Sequence, residues 1–193
     1  MGVLTFKIWR IVKLGGLEDA DAIRKAIKAL EYEIDSWADR ILNRIAFKVS
    51  REETEVALVL LSVAELGFKN GKKLSRVYER ALKFGLKLCP SDLGPRLRSQ
   101  YTNQKKGECV KIAMEPIADS DCHLSRFDVV HDNSGCRLSA GNGRPDYFCG
   151  RDDRFVFVLP RPAISSCSVG NSTQQQVPVS RGFFSRFTDS FGF

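Results

Sequence analysis

The sequence predicts an α+β protein, on three observations. Residues 1–66 alternate strand-like and helix-like patterns, which makes a small N-terminal β-α-β layer. A strongly basic amphipathic helix follows, from about Lys72 to Gly85. From Cys109 onward the pattern turns to short β-like runs between turn signals, for which antiparallel hairpins are the simplest solution. The basic helix then packs on an antiparallel sheet. Three segments are expected: 1–66 as an α/β part, 67–161 as helix plus sheet, and 162–193 as a flexible Phe-rich tail. No Pro/Gly/Ser-rich linker divides the first two, so the sequence leaves open whether they form one core or two domains.

The elements follow in chain order. Val3 to Leu14, "VLTFKIWRIVKL", sets Leu4, Phe6 and Ile8 against Thr5 and Lys7 and reads as a strand ended by Gly15-Gly16. "LEDADAIRKAIKAL" places Ala22, Ile23, Ala26, Ile27 and Leu30 at helical spacing, with acids in the first turn where the helix dipole favours them. "DSWADRILNRI" puts Trp37, Ile41 and Leu42 on one face of a second helix. "AFKV" and "EVALVLLSV" read as strands, although "SREE" at Ser50 would also cap a helix. Ser62 and Glu65 open a short helical turn, "SVAELGF", which Gly67 and Asn70-Gly71 interrupt. The basic helix comes next and Pro90 prevents its continuation. "SDLGPRLRSQYTN" is short helical or irregular chain. "ECVKIAMEPI", "HLSRFDVVHD", "GCRLSAG" and "RFVFVLP" are the β runs, separated by "DNSG" and "GNGRP". After Arg161 the chain becomes rich in Ser, Gln and small residues, and "RGFFSRFTDSFGF" ends it with five Phe, a segment suited to docking on its own domain, on a second copy or on a protein partner.

With 43% hydrophobic residues over 193, the chain can bury a core without staples. Its longest apolar run, Val56 to Ala64, falls far short of the roughly 18 residues of a membrane span. The N-terminus lacks a secretory pattern, and Phe6 stands where myristoylation needs Ser or Thr, so a cytoplasmic protein is expected. Its six cysteines form no C-x-x-C pair and are expected as free thiols.

The net charge of +7 is concentrated. Residues 67–118 hold 12 Lys and Arg against 4 Asp and Glu, so this segment carries the whole excess. With Leu74 set at zero on a helical wheel, Val77, Tyr78, Ala81 and Leu82 fall between roughly 300° and 80°. Lys72, Lys73, Arg76, Arg80, Lys83 and Lys87 fall opposite, between roughly 160° and 260°, with Glu79 at the edge. Like charges at i,i+4 repel, and the acids that would lace an exposed helix with ion pairs are missing from this face. The pattern fits a footprint for phosphate, on nucleic acid or another anionic ligand, and equally fits a merely solvated face. A membrane surface fits less well, because the core needs the apolar side. Arg96, Arg98, Lys105 and Lys106 would extend the footprint, with Tyr101 as a stacking ring. "SVAELGFKNGKKLSRVYERALKFG" has a weak helix–turn–helix outline. The candidate binding residues are therefore Lys72, Arg76, Arg80, Lys83, Lys87, Arg96 and Arg98.

Chemistry is sparse elsewhere. "DSDCHLSRFDVVHD" gathers Asp119, Asp121, Cys122, His123, Asp128, His131 and Asp132, and Cys136 and Cys149 could reach one end of it. The spacing matches no compact zinc pattern, and hairpin-turn aspartates with exposed histidines account for it. No P-loop, G-x-G-x-x-G, H-E-x-x-H or G-x-S-x-G occurs. A metal-dependent hydrolase assembled from Asp128, His131, Asp132 and Glu115 is the alternative from another class, and a protein–protein adaptor using the tail is a third. The sequence singles out no catalytic residue, metal set or cofactor.

The segments "AELGF", "LCPSDLGPRLRSQY" and "IAMEPI" resemble a group of uncharacterised bacterial proteins, over about residues 4–160. The resemblance implies no activity and no site residue. Proteins of that group tend to mix acids into the "VYERALKFGLKLCP" helix and to carry other residue types where Cys109, Cys122, Cys136 and Cys149 stand. It thus implies a basic face particular to this chain.

Overall fold

The computed structural model describes residues 6–160, and the chain is α+β over that span. The first seven elements in chain order are β1 (Arg10–Leu14), α1 (Ala20–Lys28), β2 (Glu33–Ile34), α2 (Ser36–Leu42), β3 (Thr54–Ser62), β4 (Lys72–Lys73) and α3 (Leu74–Lys83). There follow α4 (Leu93–Gln100), β5 (Glu108–Ile112), β6 (Ile117–Ala118), β7 (Leu124–Asp132), β8 (Gly135–Asn142), β9 (Phe148–Cys149) and β10 (Arg154–Val158). The main sheet runs β1-β3-β10-β5-β7-β8-β2, with β6 beside the start of β7, and β4 and β9 form a separate two-stranded piece. The tail from 162, with its Phe-rich end, lies outside the described residues, as does the start of the strand expected from Val3.

The two expected halves share this sheet. β10, last in sequence, sits between β3 and β5 and joins the β1–β3 pair to the β5–β7–β8 run. Phe157 faces Val59 across the antiparallel β10–β3 ladder, while β10 and β5 pair in parallel at Val156 and Ile112. Antiparallel hairpins alone were expected, and this is the main departure. An apolar β10 buried on both faces satisfies either orientation, so its pattern carries no direction.

Strand alternation divides the core into two layers. Val12, Leu58, Val110, Phe127, Leu138 and Val156 pack with Ile23 and Ile27 of α1, Ile41 of α2, and Leu93 and Leu97 of α4. On the other face Val59, Phe155 and Phe157 meet Leu74, Val77 and Ala81 of α3. The basic helix therefore lies on the β3–β10 face of the sheet, opposite the other three helices.

Local differences have local causes. "AFKV" forms no strand: the Ser91 hydroxyl accepts from Lys48 N at 2.9 Å and donates to Lys48 O at 2.8 Å, replacing a ladder partner, while Phe47 turns in against Phe127. Ser50 caps nothing, since its N and hydroxyl both go to the Asp92 carboxylate. "SVAELGF" is a turn rather than a helix, though the reciprocal Ser62–Glu65 bonds of the expected capping box do form. The helix–turn–helix outline therefore lacks its first helix. Trp37 is half exposed while Ile41 and Leu42 are buried.

Candidate anion-binding face

α3 is held from below and at its start. Leu74, Val77 and Ala81 are buried, and Tyr78 stands edge-on to Phe155 and Phe157. Its first amides donate to backbone oxygens, Leu74 N to Tyr147 O and Ser75 N to Pro145 O. Carbonyls thus occupy the N-terminal dipole, and the helix offers an anion its flank rather than its end. Gly71 permits this anchorage: it has φ +79°, and a Cβ there would lie 2.4 Å from Cys149 O.

The outer flank carries Arg76, Arg80 and Lys83, and Lys72 joins them from β4, since the helix expected from Lys72 starts only at Leu74. All four are exposed around a depression of about 310 Å³ that Phe68 and Glu79 complete. The Arg80 guanidinium lies 5.1 Å from the Phe68 ring centre and 5.8 Å from that of Phe84. The Lys72 ammonium is 6.0 Å from Phe68. These cation–π contacts hold two charges over one ring and so fix their spacing. Glu79 is the sole acid of the depression and pairs with Arg76 at 2.7 Å. Two cations over Phe68, with Arg76 and Lys83 beside them, are thus offset by one carboxylate.

The other candidates separate from this group. Lys87 is exposed but lies beyond α3, where its backbone bridges to Val158. Arg96 and Arg98 are buried, which corrects their expected place on the footprint. Arg96 lies near Asp92 at 3.9 Å and Leu17 O at 3.5 Å. Arg98 donates to Gln104 Oε1, Tyr101 O and Val130 O, with its guanidinium 4.6 Å from the Tyr32 ring. Burial pushes both arginines below their ordinary pKa. Arg98 thus ties α4 to β7, and Arg96 ties it to the loop after β1. Tyr101 is covered by Trp9 and Arg10 and offers no free ring face.

Lys105 and Lys106 line a different depression of about 530 Å³, with Lys111, Arg154 and three acids. There Lys111 pairs with Asp153 at 3.0 Å and Arg154 with Glu108 at 2.9 Å, so most of its charge is matched.

Asp128, His131 and Asp132 do not converge. Alternation along β7 puts His131 on the face opposite Asp128 and Asp132. Asp128 is buried against Arg126, His131 Nδ1 lies 2.7 Å from Gln104 O, and Asp132 pairs with Arg137 at 2.6 Å. Glu115 is exposed, and Cys149 is buried on β9. Among the described residues the cysteines 89, 109, 122, 136 and 149 are free thiols. No helix among these residues is long and apolar enough to cross a membrane.

Comparison with protein-family models, curated proteins and solved structures finds no match to this chain. The functional reading therefore rests on this geometry alone.

Proposed function

We propose that the protein is a non-catalytic binding module whose α3 flank holds an anionic partner, with nucleic acid first among such partners. One observation carries the reading: Lys72, Arg76, Arg80 and Lys83 surround one depression that contains a single acid. Like charges set this close cost a helix a few tenths of a kcal/mol per pair, a cost that a bound polyanion removes. The burial of Arg96, Arg98 and Tyr101 leaves this flank without a continuous groove. Contact is then with phosphates, which position a ligand without reading its sequence.

Fluorescence anisotropy against labelled single- and double-stranded DNA and RNA tests this. Four phosphate contacts predict that affinity falls roughly two to three orders of magnitude between about 50 and about 300 mM salt. Little preference among sequences is expected. A complete lack of binding at the lowest salt would remove the reading.

A further inference from the structure

We propose that the loop joining β6 to β7 binds a divalent transition ion of the zinc class through Asp119, Asp121 and His123. Asp119 is 2% exposed, and its Oδ1 accepts from Asp121 N at 2.8 Å and His123 N at 2.9 Å. Those bonds pin the loop but leave Oδ2 of the same carboxylate buried with no hydrogen-bond partner. A buried carboxylate oxygen without a donor is unfavourable, and a cation is its natural complement. The carboxylate faces His123, whose Nδ1 lies 3.6 Å from Oδ1, beyond hydrogen-bond length.

One donor atom from each of the three residues lies within 4.8 Å of the others. Zinc-ligand distances of about 2.0–2.2 Å place neighbouring donors roughly 3–3.5 Å apart, so closure needs a movement of about an ångström. The two residues that must move can do so. The side chains of Asp121 and His123 are 56% and 65% exposed, while Asp119 is the fixed point. Arg40 holds Asp121 through Oδ2 at 2.9 Å and leaves its Oδ1 to a weak contact with the Ser120 hydroxyl at 3.4 Å. Two carboxylates and an imidazole suit zinc and its neighbours better than they suit soft ions. Three protein ligands also leave a coordination position for water. This site is separate from the α3 flank and does not depend on it.

The test is calorimetric titration of zinc into the full chain, untagged and stripped with chelator, beside Asp119→Asn, His123→Gln and Cys122→Ser. Asn keeps the carbonyl oxygen that the loop amides need, and His123 is exposed, so neither change should unfold the protein. The expected result is one zinc per chain, bound about tenfold or more weakly in the Asp119 and His123 variants and unchanged in Cys122→Ser. Zinc should also shift the His123 imidazole signals in an NMR spectrum of the parent. Two results overturn the proposal. One is no uptake by the parent up to about 100 µM zinc. The other is uptake that survives His123→Gln or fails in Cys122→Ser, which assigns the ion to thiolates.

Discussion

Asp128→Asn isolates a buried charge in the sheet. Arg126 is 1% exposed, lies 5.3 Å from the Phe155 ring centre and donates to the Asp128 carboxylate, while its Nε has no partner. Gly141 on β8 makes room for the pair, since a Cβ there would lie 2.5 Å from Asp128 Oδ2 and 3.2 Å from both terminal nitrogens of Arg126. Burial lifts the Asp128 carboxyl above its ordinary pKa, with Arg126 and Lys111 pulling against that lift. Burial also works to lower Arg126, but Asp128 outweighs it and keeps the guanidinium above its ordinary value. A guanidinium keeps its proton throughout the accessible pH range, so Arg126 stays charged when the carboxylate is removed. Breaking a buried pair from one side costs about 3–5 kcal/mol, whereas replacing both partners by apolar residues is often close to neutral. Total stability is roughly 5–15 kcal/mol, so Asp128→Asn removes a large share of it. Urea unfolding followed by circular dichroism should show that loss, and Arg126→Met with Asp128→Leu should recover most of it. A cost below about 1 kcal/mol for Asp128→Asn, or a double variant as unstable as the summed singles, would refute the argument.

Other substitutions probe other links. Gly94→Ala drives a Cβ to 2.5 Å from that of Phe127, so it should cost about 1–3 kcal/mol by overpacking, read as a lower urea midpoint. The Ser62 backbone amide and hydroxyl hold the Glu65 carboxyl below its ordinary pKa. A lowered folded value gives stability that is present above the unfolded pKa and lost as pH falls through the folded one. Glu65→Gln should thus be less stable than the parent at pH 7, by under about 1 kcal/mol at this exposed site, and the two should converge in acid. Among the described thiols, Cys122 is exposed while Cys89 and Cys149 are buried, with burial pushing Cys149 up to about 11. A thiol reagent followed by peptide mapping should modify Cys122 in the native protein and spare Cys89 and Cys149.

The strongest local signals in the sequence survived folding. The 3.6-residue period of α3 predicted its cationic side and, except for the exposed Leu82, its buried one, because an amphipathic helix on a sheet has a single stable orientation. β3, β7, β8 and β10 were legible from their apolar runs and turns. The parallel β10–β5 pairing was not, since it depends on where a strand inserts rather than on what it contains. Arg96 and Arg98 were misplaced although a signal existed. Gly94 and Pro95 with Leu93 and Leu97 on both sides mark a helix with no wet face, and α4 is buried at every position from Leu93 to Arg98. "AFKV" was lost to Ser91, more than forty positions away in the chain, which no local pattern reveals. The "DSDCH" segment was visible as a cluster. What sequence spacing cannot give is the buried, unpartnered oxygen of Asp119 that separates it from the acids of Asp128 and Asp132.

The most direct test of the α3 flank compares the parent with a variant carrying Arg76→Glu, Arg80→Glu and Lys83→Glu, by nucleic-acid anisotropy at low salt. These side chains are exposed and none faces the core, so circular dichroism should show both proteins folded alike. Salt-sensitive binding by the parent and its loss in the variant are expected. Equal binding by the two folded proteins would contradict this and move the anionic partner to another surface.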